Sequence, residues 1–372
     1  MNNNENLTKS QKLALQCFNK YTQKYKAEAK NDIKQILSLS NNDYKDYNTA
    51  IKNLKKYSRV GVHFHPDRPD SLMKTTIENL FEQGFYKNQF ETHISSGDVS
   101  AYKGGDRDIW EKELFDGAYN GAHIRNSERP KYGSLDLLQL PDGPSPRFGS
   151  CYFLLKPEVS HRCTFTYLDS HQKPKERGTF EEFDLIMLAL LRDTFHYNNT
   201  LGEMNFSVKK LLYHFSNDLE KPIKNLSVKT PGRHLNNYIE AQIHGNISLK
   251  EDVEILVADP SFRKTEIGEV IRQTCKKYSI KLLWHMGFVM KLIDIPDDFR
   301  GKEMPKLAEF ITKENYIDTH HLGLAVMELY SNPKKWKKWG SKREVVQKIK
   351  LLWHVLVKYG KNYYKIIDSL EE

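Results

Sequence analysis

Two histidines, His63 and His65, flank Phe64 in the run RVGVHFHPDR, which Pro66 and Asp67 close. Residues two apart on a strand share a face, so both imidazoles point one way and Phe64 the other, with Arg68 just past the turn. Such a pair can ligate a metal or donate to phosphate and ribose hydroxyls. The plainer alternative is two rings bonded to backbone at a strand end. A second cluster lies in SPRFGSCYF, where Gly149 permits close backbone approach and Arg147 and Ser150 offer a cation and a hydroxyl at a strand entry. That set can hold a phosphate or be only a turn feeding a core strand. Tyr132, in KYGSL, reads either as a stacking platform for a heteroaromatic ring or as an ordinary sheet aromatic. The third cluster is NYIEAQIHG, in which Glu240, Gln242 and His244 alternate with Ile239, Ala241 and Ile243. On a strand all three polar side chains share a face, and a carboxylate in a half-buried sheet needs a partner or a job. The alternative there is an edge strand with a solvated polar face.

The elements that must position these residues follow from periodicity. Leu13, Leu15, Phe18, Tyr21 and Tyr25, then Ile33, Ile36 and Leu37, recur at helical steps through residues 6–57. The texture turns to strand at Arg59. A helix follows in SLMKTTIENLFEQG, then FYKNQFETHISSG as strand or strand plus loop, then a helix in DRDIWEKELFDGAY with Trp110, Leu114 and Phe115 on one side. Residues 130–170 are the most strand-like part, with turn chemistry at DGPSP and KPEVSH. Residues 180–222 read as helical and buried, NYIEAQIHG as a strand, and 262–360 as largely helical. These readings predict an α+β fold with a central, largely antiparallel sheet flanked by helices. Residues 1–57 form a helical N-terminal extension, 58–262 the catalytic domain with a helical insertion at about 180–222, and 263–372 a helical C-terminal region.

The 372 residues are 39% hydrophobic and 28% charged, and no window approaches the ~18 apolar residues of a membrane span. The N-terminus has no apolar stretch of the signal-peptide kind, so neither a membrane span nor a cleaved leader is expected. Four cysteines without a CxxC pair argue against a disulfide framework or a zinc ribbon and suit a reducing cytoplasm. The net charge of +9 sits at the ends: residues 1–57 hold 11 Lys against 5 acids, and 333–372 hold 11 Lys and Arg against 4 acids. The stretch between is therefore about -4, which disfavours nucleic acid as the main ligand. The basic ends are solvated helix faces or a surface for a partner or acidic lipid.

VHFHPDR, QFETHISSG, RPKYGSLDL, SPRFGSCYFLLKPEV, RCTFTYLDSH, NYIEAQIHG, DVEILVADPSF, LLWHMGF and LWHVLVKYG together resemble an uncharacterised-domain family of bacterial proteins. That family is similar to the diphtheria-toxin-like branch of the ADP-ribosyltransferase superfamily, which includes secreted Legionella effector enzymes. The resemblance covers residues from about 10 to 360. It implies an ADP-ribosyltransferase-like antiparallel or split sheet with helical extensions at both ends, and NAD as a substrate with no metal. His63 fits the first-strand position, with His65 and Arg68 beside it. Tyr132 and the Ser150 strand, with Arg147, compete for the middle motif, and Glu240 is the implied catalytic carboxylate. Gln242 and His244 fall on the acceptor side. Arginine-modifying relatives carry two acids two residues apart, where this chain has Glu240 and Gln242. A different alignment gives the acidic role to Glu91. The implied acceptor is a protein side chain, arginine foremost, on a host enzyme such as a metabolic dehydrogenase. The implied setting is the bacterial cytoplasm followed by delivery into a host cell without a cleaved signal.

The chemistry suits the residue types, because breaking the nicotinamide-ribose bond passes through an oxocarbenium-like state that a carboxylate stabilises. No GxGxxG is present, so a Rossmann dehydrogenase use of NAD is not indicated. The rival from another class is a metal-dependent hydrolase that begins with His63 and His65 and recruits His171, His244 and Asp259. Against it, no eightfold βα alternation is visible. A non-catalytic interaction protein is the remaining alternative.

Overall fold

The computed structural model of the chain describes residues 7–92 and 100–371; His93–Gly97 of the expected strand or loop lie outside the described residues. One eight-stranded sheet organises the molecule. Its strands in chain order are β1 (Arg59–Phe64), β2 (Lys131–Asp136), β3 (Cys151–Leu155), β4 (Cys163–Tyr167), β5 (Arg177–Thr179), β6 (Ile239–Ile243), β7 (Val253–Ala258) and β8 (Lys281–Trp284). In space they run β8-β7-β3-β1-β2-β6-β4-β5. Every pairing is antiparallel except β7 with β8, which are parallel and joined by the helix Glu266–Tyr278. The α+β class and the three strands expected between 130 and 170 are therefore present.

The two faces of the sheet differ in kind. Val60, Val62 and Phe64 of β1, Leu135 of β2, Phe165 of β4 and Ile239, Ala241 and Ile243 of β6 all belong to the main apolar core. Helices cover that face. The helix Asp184–Tyr197 buries every residue from Leu185 to Leu191, which explains a sequence apolar on nearly all sides. The helix Lys9–Leu39 starts at a Thr8 capping box closed by Gln11 and packs Ala29, Ile33 and Leu37 into the same core. Its first turns carry Ala14 and Phe18 instead against Trp110, Phe115 and Tyr119. The N-terminal helices are thus part of the domain's packing rather than an appendage.

The other face carries a smaller apolar cluster of Tyr152, Leu154, Ile255 and Val257 on β3 and β7, and is polar by register on β2, β6 and β4. In β2 and β6, Tyr132 lies opposite Gln242 and Ser134 opposite Glu240; β4 adds Thr164 opposite Gln242 and Thr166 opposite Glu240. Directly opposed residues share a face. The helix Asp106–Leu114 closes part of this side.

The segment after residue 262 is less uniformly helical than its composition suggests. It supplies the sheet's edge strand β8 and a small antiparallel pairing of Val289–Lys291 with Tyr316–Asp318. The boundary expected at 262/263 falls inside the β7-helix-β8 unit. Beyond it the helices Met304–Ile311, Thr319–Ser331 and Lys342–Tyr359 enclose their own core around Trp336 and Trp353. The indole Nε1 of Trp353 donates to the Pro146 carbonyl at 3.0 Å, which ties this unit to the sheet's loops. Among the described residues, no helix is long and apolar enough to cross a membrane.

Candidate functional site

The polar face opens into a cavity of about 280 Å³ at the middle of the sheet. Glu240 reaches it from β6, Tyr132 and Gly133 from β2, His63 from β1, and Arg147 and Phe148 from the turn before β3. More of the wall comes from Trp110, expected on the apolar side of its helix, from His171, expected only as a ligand in the hydrolase reading, and from residues that sequence reasoning did not single out: Arg107 and Glu111 on the Asp106–Leu114 helix, Asp169 after β4, and Lys350 far along the chain. The helix signal was present, since Arg107, Trp110 and Glu111 fall at i, i+3 and i+4 and so share a face. Nothing local announces that this face looks at Glu240.

Glu240 is buried, with 6% of its surface exposed. Gln242 donates an amide N–H to Glu240 Oε1 at 2.8 Å, and the Ser170 hydroxyl donates to the same oxygen. Burial and then the nearby Asp169 push its pKa from 4.5 to about 7, against the two hydrogen bonds and Arg107, which favour the charge. A carboxyl poised at neutrality in a cavity marks a functional candidate.

Gln242 and His244 share the Glu240 face, as alternation requires, yet neither lines the cavity. Gln242 is fully buried, accepts from Thr164 Oγ1 at 2.7 Å and donates to Thr166 Oγ1 at 3.3 Å as well as to Glu240. It holds the carboxylate rather than facing an acceptor. His244 sits 2.6 Å from the Tyr119 hydroxyl through Nδ1 and 3.2 Å from Thr164 Oγ1 through Nε2. Burial lowers its pKa to about 3, so the ring is neutral.

The aromatic wall is specific. Tyr132 and Trp110 lie 5.5 Å apart by ring centroid, and the Arg107 guanidinium sits 4.7 Å from the first ring and 4.8 Å from the second. Tyr132 donates its hydroxyl to Glu111 Oε1 at 2.9 Å, and Glu111 in turn accepts from Arg129 Nη1 at 2.8 Å. The platform is therefore held from behind by buried charge.

Of the two histidines, His63 lies in β1 and His65 just past its end, and their surroundings differ. His63 Nδ1 lies 2.9 Å from the Gly149 carbonyl, and the Ser145 N–H reaches Nε2 at 3.3 Å, so the ring donates at one nitrogen and accepts at the other. It stacks on Tyr152 at 4.8 Å, and burial lowers its pKa to about 3. Both nitrogens being used, His63 shapes the wall of the cavity and staples two loops. Replacing it by Ala strands a buried carbonyl and a buried N–H, and is expected to lower stability by about 1–3 kcal/mol in a denaturant titration.

His65 packs edge-on against Trp353 at 5.3 Å, Arg68 is half-buried and Ser150 buried, and none of the three lines the cavity. Glu91 accepts from the Asn88 N–H at 3.0 Å in a short turn; its neighbours Gln89 and Phe90 line the cavity and it does not. Asp259 accepts from Ser261 and Thr319, and its Oδ2 lies 3.9 Å from His285. Among the described residues, no group of three or more His, Cys, Asp or Glu side chains is arranged to hold a metal ion.

No curated protein matches the chain. A family model matches residues 59–359, from the first residue of β1 to the end of the helix Lys342–Tyr359, and so spans the sheet and the C-terminal unit together. The chain belongs to that family, described as "Protein of unknown function (DUF3626)".

Proposed function

We propose that the chain is an NAD-dependent ADP-ribosyltransferase whose catalytic carboxylate is Glu240. The observation that carries this reading is Glu240 itself, a buried carboxyl held by Gln242 and Ser170 and opening into an aromatic-walled, cation-bordered cavity. The cavity volume, about 280 Å³, lies at the lower end of ligand pockets, roughly 300–1,000 Å³, and suits the nicotinamide and its ribose. Tyr132 and Trp110 offer faces to the heteroaromatic ring. Glu240, once ionised, balances the positive charge that develops on the ribose as its bond to the nicotinamide nitrogen breaks. The bonding pair leaves with neutral nicotinamide, an acceptor nitrogen or oxygen forms the new bond to the ribose carbon, and the acceptor's proton passes to a base. With water as acceptor, the same steps give slow NAD hydrolysis.

Arginine on a host protein is the acceptor that the sequence resemblance favours. The decisive experiment is incubation with labelled NAD and a eukaryotic lysate, followed by a search for labelled bands and for released nicotinamide. NAD at 100 times its dissociation constant is expected to stabilise the fold by about 2.7 kcal/mol in a thermal melt, with or without chelator. A melt unmoved by NAD, together with activity lost to chelator, would instead favour the hydrolase.

A further inference from the structure

Four nitrogen-bearing side chains, Arg147 and Lys350 of the cavity wall with Arg300 and His354 near them, converge beside the cavity mouth. Arg147 comes from the turn before β3, Arg300 from the loop before the Met304–Ile311 helix, and Lys350 and His354 from the Lys342–Tyr359 helix. The Trp353 bond to the Pro146 carbonyl fixes that helix against the Arg147 turn, which brings the groups together. Arg147 spends Nη1 on the Asn236 side chain at 2.8 Å, and its Nε is buried without a partner. The Nε of Arg300 is likewise buried and unbonded, and His354, a residue only 2% exposed, lies against the Arg147 backbone. Burial first, and then repulsion from Arg147, hold the Arg300 pKa below its ordinary value. The neighbouring acids Asp297 and Asp298 are exposed, and among the described residues no carboxylate pairs with either arginine.

Like charges and unbonded donors are costly to gather unless something anionic completes them. Two guanidinium forks suit phosphate oxygens in particular, because each presents parallel N–H donors at the spacing of two oxygens. Arg147 and Lys350 also line the Glu240 cavity, so an anion held here is continuous with the carboxyl site.

We infer that Arg147, Arg300, Lys350 and His354 form a seat for the diphosphate of a nucleotide whose other end enters the Glu240 cavity. The C-terminal helical unit is then part of the substrate site, and three of the four seat residues lie beyond the expected catalytic domain. The anion seat stands on its own geometry; only the identity of the nucleotide rests on the NAD reading.

Calorimetric titration of the full chain with pyrophosphate, ADP-ribose and inorganic phosphate, at fixed ionic strength, tests it. Pyrophosphate and ADP-ribose are expected to bind, ADP-ribose the tighter. Arg300→Gln is expected to weaken both at least tenfold, and Arg300→Lys, which keeps the charge but loses the two-pronged fork, to fall between that variant and the wild type. The inference is overturned if the wild type binds neither ligand, or if Arg300→Gln melts normally and binds both as the wild type does. Inorganic phosphate binding tighter than ADP-ribose overturns the nucleotide assignment in favour of a free-phosphate site. Arg300-dependent binding without any NAD cleavage keeps the seat and removes the transferase. NAD cleavage with an unchanged KM in Arg300→Gln does the reverse.

Discussion

Glu240→Gln is expected to lower the kcat for nicotinamide release by roughly 10²-fold or more, about 2.7 kcal/mol of barrier, while NAD affinity changes little. The substitution keeps the volume and the oxygen that accepts from Gln242 and Ser170, so the local packing survives. It removes the charge that the oxocarbenium-like state needs and the ground state hardly uses. The same substitution carries an opposite signature in stability. The folded-state pKa is raised from 4.5 to about 7, so the folded state binds the proton more tightly than the unfolded chain does. Wild-type stability therefore falls as pH rises through that window, and the loss is complete above it. Glu240→Gln should accordingly be more stable than the wild type at pH 8, by about 1–3 kcal/mol, with the difference gone by pH 4. Slow turnover with a higher melting temperature at pH 8 is the paired result expected of a carboxyl kept for chemistry. Near-normal turnover in Glu240→Gln with a dead Glu91→Gln would move the acidic role to the short turn before residue 93.

Part of this site was readable from the chain. The alternation in NYIEAQIHG placed Glu240, Gln242 and His244 on one face, because a period of two is a local property of a strand. The same reasoning put His63 and His65 together and opposite Phe64. What each polar group does with its neighbours was not readable. The nitrogens of His63 are used by Gly149 and Ser145, more than 80 residues away, and only the sheet's crossing order brings those loops over β1. Arg107 and Lys350 were unremarkable members of two amphipathic helices until packing turned them toward the cavity. The C-terminal region illustrates the same limit. Its charge suggested a separate docking surface, but Trp336 and Trp353 are 1% and 0% exposed, and the Trp353 indole bonds the loop that carries Arg147. Lysines on its surface and the cavity-lining Lys350 have identical local sequence signatures.

The second large effect is expected at a residue that touches no substrate. Arg129 is 6% exposed, pairs with Asp108 and, at 2.8 Å, with the fully buried Glu111, and rests on the Phe90 ring at 4.1 Å. Glu111 holds the Tyr132 hydroxyl, so the chain of contacts runs from Arg129 to the stacking platform. Arg129→Met keeps much of the volume and removes the ion-pair partner of two buried carboxylates, leaving only the more distant charges of Arg107 near Glu111 and Lys103 near Asp108. Breaking a buried pair from one side costs about 3–5 kcal/mol, far more than the net contribution of the intact pair. A urea titration at pH 7.5 should show a loss of that size. The sign of its pH dependence separates this cause from lost packing. In the variant the stranded carboxyls acquire folded-state pKa values above their unfolded ones, so the penalty is full above that range and fades as pH falls. The gap between variant and wild type should therefore narrow by pH 5. Adding Glu111→Gln to Arg129→Met should recover part of the loss at pH 7.5, since one stranded charge is gone. A gap independent of pH, with no recovery in the double variant, would assign Arg129 to packing alone and cut the electrostatic link between it and Tyr132.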